Sequence, residues 1–197
     1  MMKLKTIVAA VAIAAAAGAA NAATIASPGG NHTFADAMQI PDGYFTTIIN
    51  GAIELSDTLP NASVVAFSSG PYDYYKFTTG GTGSIILDVD FTYTFSGNPG
   101  SFDPEVALWK ADGTLLGQND DRGSIDVGSS HELDSYLNLS NLAAGTYVVG
   151  VARFSALAEA GGWAPSSDTI PANSFYTLHI SAPVPEPESY AMFLAGL

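Results

Sequence analysis

The stretch Ser84-Ile-Ile-Leu-Asp-Val-Asp-Phe-Thr-Tyr-Thr-Phe95 decides the fold. Ile85, Leu87, Val89, Phe91, Tyr93 and Phe95 fall on one face of an extended chain. Ser84, Asp88, Asp90, Thr92 and Thr94 fall on the other, with Ile86 the one exception. Period two is the repeat of a strand whose successive side chains point to opposite faces, so this segment predicts a strand half-buried against a core. The same alternation recurs at Asp73/Tyr75/Phe77, Val106/Leu108, Tyr147/Val149/Val151 and Tyr176/Leu178/Ile180. Less regular candidates are Thr46 to Leu55, Ala62 to Phe67 and Ser135 to Leu139. Ser69-Gly70-Pro71, Gly80-Gly81, Asn98-Pro99-Gly100, Asp112-Gly113 and Ala144-Gly145 punctuate the runs with turn residues, and no amphipathic helix interrupts them. The expectation is an all-β chain, an antiparallel β-sandwich or jelly roll of about 8–10 short strands. Ser155 to Asn173, with Gly161-Gly162-Trp163 inside it, reads as one long loop.

Outside this block the ends differ in kind. Lys3 and Lys5, the apolar run Ile7 to Ala20 and the small-x-small Ala20-Asn21-Ala22 have the form of an export signal, cleaved after Ala22. The run is short for a span, which takes about 20 residues. Residues 1–22 are therefore expected to be a signal peptide, 23–183 one sandwich domain and 184–197 a tail. Beyond the signal only Lys76, Lys110, Arg122 and Arg153 are basic, against 19 acidic residues. Such a field repels nucleic acid and anionic lipid and attracts cations. Cysteine is absent, which excludes disulfides, a catalytic thiol and thiolate metal sites. His32, His131 and His179 lack the spacing of a zinc motif.

Asp112-Gly113 predicts a two-residue type I′ hairpin, which wants positive φ at both positions. Val106 then faces Asn119, Asp103 comes near Arg122, and the open end gathers Asp103, Glu105, Asn119, Asp120 and Asp121. Crowded carboxylates repel, and calcium accepts six to eight oxygen ligands in flexible geometry. Asp134, from the next strand candidate, completes the expected shell. The competing reading is a solvated acidic loop partly neutralised by Arg122.

The motif order resembles bacterial pre-peptidase C-terminal domains. Asp73-Tyr-Tyr75-Lys-Phe77 is similar to that family's D-x-Y-x-F strand, followed by the alternating strand from Ile85 to Phe91. Phe102-Asp103-Pro104-Glu-Val106-Ala-Leu108-Trp109, Ala111-Asp112-Gly113 and Asn119-Asp120-Asp121 come next, then Ala144-Gly145-Thr146-Tyr147 and Tyr176-Thr-Leu178. Asn31-His-Thr-Phe-Ala35-Asp-Ala37 resembles the opening segment, so the likeness covers most of 31–181, with the loop 155–173 as a departure. It implies a non-catalytic, calcium-supported sandwich.

Val184-Pro185-Glu186-Pro187, followed by the apolar Tyr190 to Leu197, resembles a PEP-CTERM sorting tail. That likeness implies export, processing by an exosortase-type enzyme, and a place in the envelope or exopolysaccharide matrix. The tail departs from the pattern in lacking a spanning length and a basic end, so membrane attachment would need a longer tail. The plain alternative is a proline-stiffened linker.

Two other functions compete with this reading. A carbohydrate-binding module would use exposed rings, with Trp109 and Trp163 as the platform and Tyr72 and Tyr74 beside them. The alternative is that both faces of Trp109 are covered. A hydrolase would need Ser130, His131 and Asp134 as a triad, or Asp88 and Asp90 as a glycosidase pair. Triad members normally come from separate elements, and an outward polar face accounts for Asp88 and Asp90.

Overall fold

A computed structural model of the chain describes residues 24–68, 70–95, 100–165 and 168–184. The expected signal peptide, residues 1–22, and Pro185 to Pro187 of the expected tail lie outside these residues. The described strands are, in chain order, β1 (Thr24–Ala26), β2 (Met38–Gln39), β3 (Asn61–Ser68), β4 (Asp73–Thr79), β5 (Gly83–Thr94) and β6 (Pro104–Lys110). They continue with β7 (Leu115–Asn119), β8 (Tyr136–Leu142), β9 (Gly145–Arg153), β10 (Ala158–Glu159), β11 (Gly162–Trp163) and β12 (Ser174–Ser181). Two five-stranded sheets, ordered β1-β3-β12-β5-β8 and β2-β4-β9-β6-β7, pack face to face, and β10-β11 forms a separate ribbon. The pairing is antiparallel except at two edges, where β1 joins β3 and β2 joins β4 in parallel. No described helix is long and apolar enough to cross a membrane.

The alternating runs meet between the sheets as the pattern requires. Val64, Ile85, Leu87, Val89, Leu178 and Ile180 of the first sheet pack against Tyr75, Phe77, Val106, Leu108, Val149 and Val151 of the second. Fully burying one such side chain contributes about 1.5–3 kcal/mol, so this layer holds the sandwich together. One polar group shares it. Tyr75 and Tyr176 hydroxyls lie 2.7 Å apart, and Tyr176 donates to Asp73 Oδ2 at 2.9 Å. Burial raises the Asp73 carboxyl above its ordinary range against these hydrogen bonds.

A bulge changes the deciding strand. Leu178 pairs with Val89 and Thr177 with Asp90, but Phe175 pairs with Tyr93, so β5 carries one extra residue opposite Tyr176. Phe91 takes it up at φ 53°, a conformation uncommon for a bulky residue. The faces exchange there. Thr92 and Thr94 turn inward, while Phe91, Tyr93 and Phe95, expected in the core, are exposed. A one-residue slip inverts every later side chain, and periodicity alone carries no mark of it.

Other expectations also need correcting. Thr46 to Leu55 is not a strand. Thr46 bridges Asn61, but Asn50 then folds the chain, its Oδ1 accepting from the Ala52 N–H at 3.1 Å. The loop 155–173 contains the β10-β11 ribbon. In the β6-β7 hairpin Val106 does face Asn119, as expected. Its turn is different: Gly113 N–H donates to Lys110 C=O at 2.9 Å, and Lys110 N–H to Thr114 C=O at 2.9 Å. Only Gly113 has positive φ in that turn, the signature of a three-residue loop closed by a glycine bulge.

Candidate functional site

The outer face of the first sheet is covered by two segments, 46–59 and the crossing from β7 to β8 (120–135). Beneath them the row Ser63, His179, Asp88 runs across β3, β12 and β5, with Asp90 one step along. Asp88 and Asp90 point outward from the sheet as the alternation demands, yet they are 1% and 0% exposed. The expected open polar surface is thus corrected to a buried acidic layer. Gly128 makes the cover fit: at φ +112°, a Cβ there would lie 2.6 Å from Asp90 Oδ2.

Arg122 is the hub of this layer. Nη1 reaches Asp88 Oδ2 at 3.0 Å and Asp126 Oδ2 at 2.8 Å, while Nη2 reaches Glu54 Oε1 at 2.8 Å. The guanidinium also stacks on Tyr136, 4.2 Å from the ring centre. Asp103, its expected neighbour, is elsewhere: β7 ends at Asn119, and the chain then carries Arg122 to the other sheet. Asp88, Asp90 and Asp126 each present an oxygen within 4.8 Å of the others. One guanidinium does not balance them. Burial first, then Asp90 and Asp126, push Asp88 up to about 9 against the pull of Arg122. Burial, Asp126 and Asp134 push Asp90 up to about 8, although Arg122 lowers it. His179 is held down to about 4 by burial. Its Nδ1 faces the Ser63 hydroxyl at 2.7 Å and Asn50 Nδ2 at 3.3 Å.

The hairpin mouth is a second acidic group, the one legible in the sequence. Burial and Asp121 push Asp103 up to about 6, with His131 opposing them, and Asp120 adds to the rise. Burial, Asp120 and Asp103 push Glu105 up to about 7. Asp103 Oδ1 and Asn119 Oδ1 are buried without a hydrogen-bond partner. Asp103, Asn119, Asp120 and Asp121 therefore gather at one end of the hairpin as expected. Asp134 is engaged elsewhere. It accepts from the Ser130 N–H and from the Thr92 hydroxyl at 3.2 Å, and His131 Nδ1 faces it at 3.3 Å. His131 Nε2 turns to the Phe102 carbonyl at 3.1 Å, so the ring stands between Asp134 and the mouth.

The tryptophan platform is not exposed. Trp109 is 0% and Trp163 8% accessible, and they meet edge to face with ring centres 5.4 Å apart. Trp109 does point away from Val106 and Leu108, but the ribbon covers it and its Nε1 donates to the Glu159 carbonyl at 2.7 Å. Tyr72 and Tyr74 are buried in the same cluster. Exposed rings among the described residues include Phe67, Phe91, Tyr93 and Phe95, with Tyr93 and Phe95 centred 4.9 Å apart, besides Tyr44 and Phe154. Val184, which opens the Val-Pro-Glu-Pro run, packs in the main core.

No protein-family model matches the chain, and no curated protein matches it. Among solved structures it is similar to the pre-peptidase C-terminal domain of a collagenase from Bacillus anthracis. The two are 14% identical with a TM-score of 0.34, over 61% of this chain and 87% of that one. A likeness at that level fixes neither ligand nor activity.

Proposed function

We propose that this chain is an exported, non-catalytic domain of the cell surface or extracellular matrix, of pre-peptidase C-terminal type and supported by calcium at the hairpin mouth. The unpartnered oxygens of Asp103 and Asn119 carry the reading. Two buried acceptors without donors, beside Asp120 and Asp121, suit a hard cation that binds through oxygen. The donor set now excludes Asp134. Both nitrogens of His131 face groups other than a serine hydroxyl, which supports a non-catalytic role over a triad. Export by the N-terminal signal and sorting by an exosortase-type enzyme rest on residues 1–22 and the Pro185-Glu186-Pro187 motif.

Calcium at one hundred times its Kd should stabilise the chain by about 2.7 kcal/mol relative to EDTA. That corresponds to roughly 5–10 °C in the thermal midpoint for a domain of this size. Asp121→Ala should remove the part of the rise that the mouth supplies. An unchanged rise in that variant would refute calcium at the mouth.

A second reading, binding of surface polysaccharide, is favoured by the exposed rings of the bulged strand. Tyr93→Ala and Phe95→Ala should each weaken retention on immobilised exopolysaccharide roughly five- to tenfold. Equal retention by wild type and both variants would sink this reading.

A further inference from the structure

We propose that Asp88, Asp90 and Asp126 form a separate site for a hard divalent cation, buried on the outer face of the first sheet. It goes beyond the hairpin-mouth reading and does not depend on it. Ligand oxygens on opposite sides of a calcium ion stand about 4.8 Å apart, given bonds of roughly 2.4 Å. The oxygens that the three aspartates offer lie within that distance of one another.

Two observations outside the clustering of acids point to a ligand. Asp90 is fully buried, and neither of its carboxylate oxygens has a hydrogen-bond partner. The ion pairs of Arg122 go to Glu54, Asp88 and Asp126, so the one cation of the layer leaves Asp90 unmatched. His179, only 5% exposed, aims Nε2 at Asp90 Oδ2 from 3.4 Å without completing a hydrogen bond. Its Nδ1 faces the Ser63 hydroxyl and the Asn50 amide, so only Nε2 of the ring is turned toward Asp90. The glycine at 128 keeps side-chain atoms off Asp90 Oδ2, where a Cβ would intrude to 2.6 Å.

The site has an entry. A cleft of about 480 Å³ opens beside it, lined by Asn50, Glu54, Arg122 and Asp126 among others. Asp126, half-buried at its inner end, joins solvent to the buried pair. An ion arriving there meets three carboxylates and no thiolate, which selects a hard cation over a soft one.

Calcium titration of the full chain by calorimetry tests the site. Asp90→Asn keeps the shape of the side chain and removes its charge. It should abolish one binding equivalent or weaken it at least tenfold, and Asp126→Asn should do the same. Asp121→Ala should leave that equivalent intact, whether or not a second one is present at the hairpin mouth. Wild type binding one ion that survives Asp121→Ala and is lost in Asp90→Asn would uphold this site and remove the mouth. Unchanged calcium binding in Asp90→Asn and Asp126→Asn would overturn it, as would an absence of calcium binding in the wild type. Should Asp90→Asn fail to fold, Asp126→Asn on the covering segment decides the matter.

Discussion

Above about pH 9, where Asp88 is ionised, Arg122→Ala is expected to cost the metal-free domain about 3–5 kcal/mol. The side chain is mostly buried and holds three carboxylates at 2.8–3.0 Å. Removing it leaves Asp88 uncompensated in a place that water does not reach, and it also strips the stack from Tyr136. Urea denaturation in EDTA would measure the loss, which corresponds to roughly 10 °C in the midpoint. Arg122→Lys should recover less than half of it, because one ammonium cannot fork between Asp88, Asp126 and Glu54. The double variant Arg122→Ala, Asp88→Asn should lose markedly less than the two single losses added together. A loss below about 1 kcal/mol for Arg122→Ala would mean that the carboxylates are neutral without it.

The parts of this molecule that were legible in its sequence are those set by local periodicity. The inward faces of β4, β6, β9 and β12 follow directly from alternating Tyr, Phe, Val, Leu and Ile, and the β6-β7 register follows from the turn. What escaped is long-range. The exposure of Tyr93 and Phe95 depends on one extra residue in β5, visible only once Tyr176 of β12 lies opposite it. Asp88 and Asp90 look like an outward polar stripe because a strand carries no sign of what will cover it. Their cover comes from residues 46–59 and 120–135, which have no periodicity to read. Arg122, next in sequence to the acidic hairpin end, was for the same reason assigned to the wrong partner. A signal was present in hindsight: two aspartates spaced for one face, in the most regular strand of a chain with only four basic residues beyond its signal. The hairpin brings Asp103, Asp120 and Asp121 together because they are close in sequence, whereas the position of Asp134 depends on contacts with Ser130, Thr92 and His131.

The metal-free protein should lose stability as the pH rises from about 6 toward 9. Asp88, Asp90 and Glu105 hold their protons up to about 9, 8 and 7 in the folded chain, with burial the leading cause for each. Unfolded, they release them near pH 4. Between those limits the native state binds more protons, so each rise in pH favours unfolding by about 1.4 kcal/mol per pH unit for every proton so retained. His179 works in the opposite sense. Held down to about 4, it stays neutral where the unfolded imidazole gains a proton, so its own contribution falls as the pH drops below about 6.5, against the larger gain from the three carboxyls. The groups facing the layer are Arg122 and Asp126 from the covering segment, Glu54 from the other cover, His179 from β12, and Asp134 and Tyr136 at the start of β8. Only Arg122 among them is a permanent cation. Moving from pH 6 to pH 8 in EDTA should therefore cost on the order of 5 kcal/mol, or roughly 10 °C in the midpoint. Calcium should reverse the trend, because a divalent ion takes the place of the protons and binds more tightly as they leave. Midpoints that stay level or climb from pH 6 to pH 8 in EDTA would show that the acidic layer is hydrated or relaxed in solution.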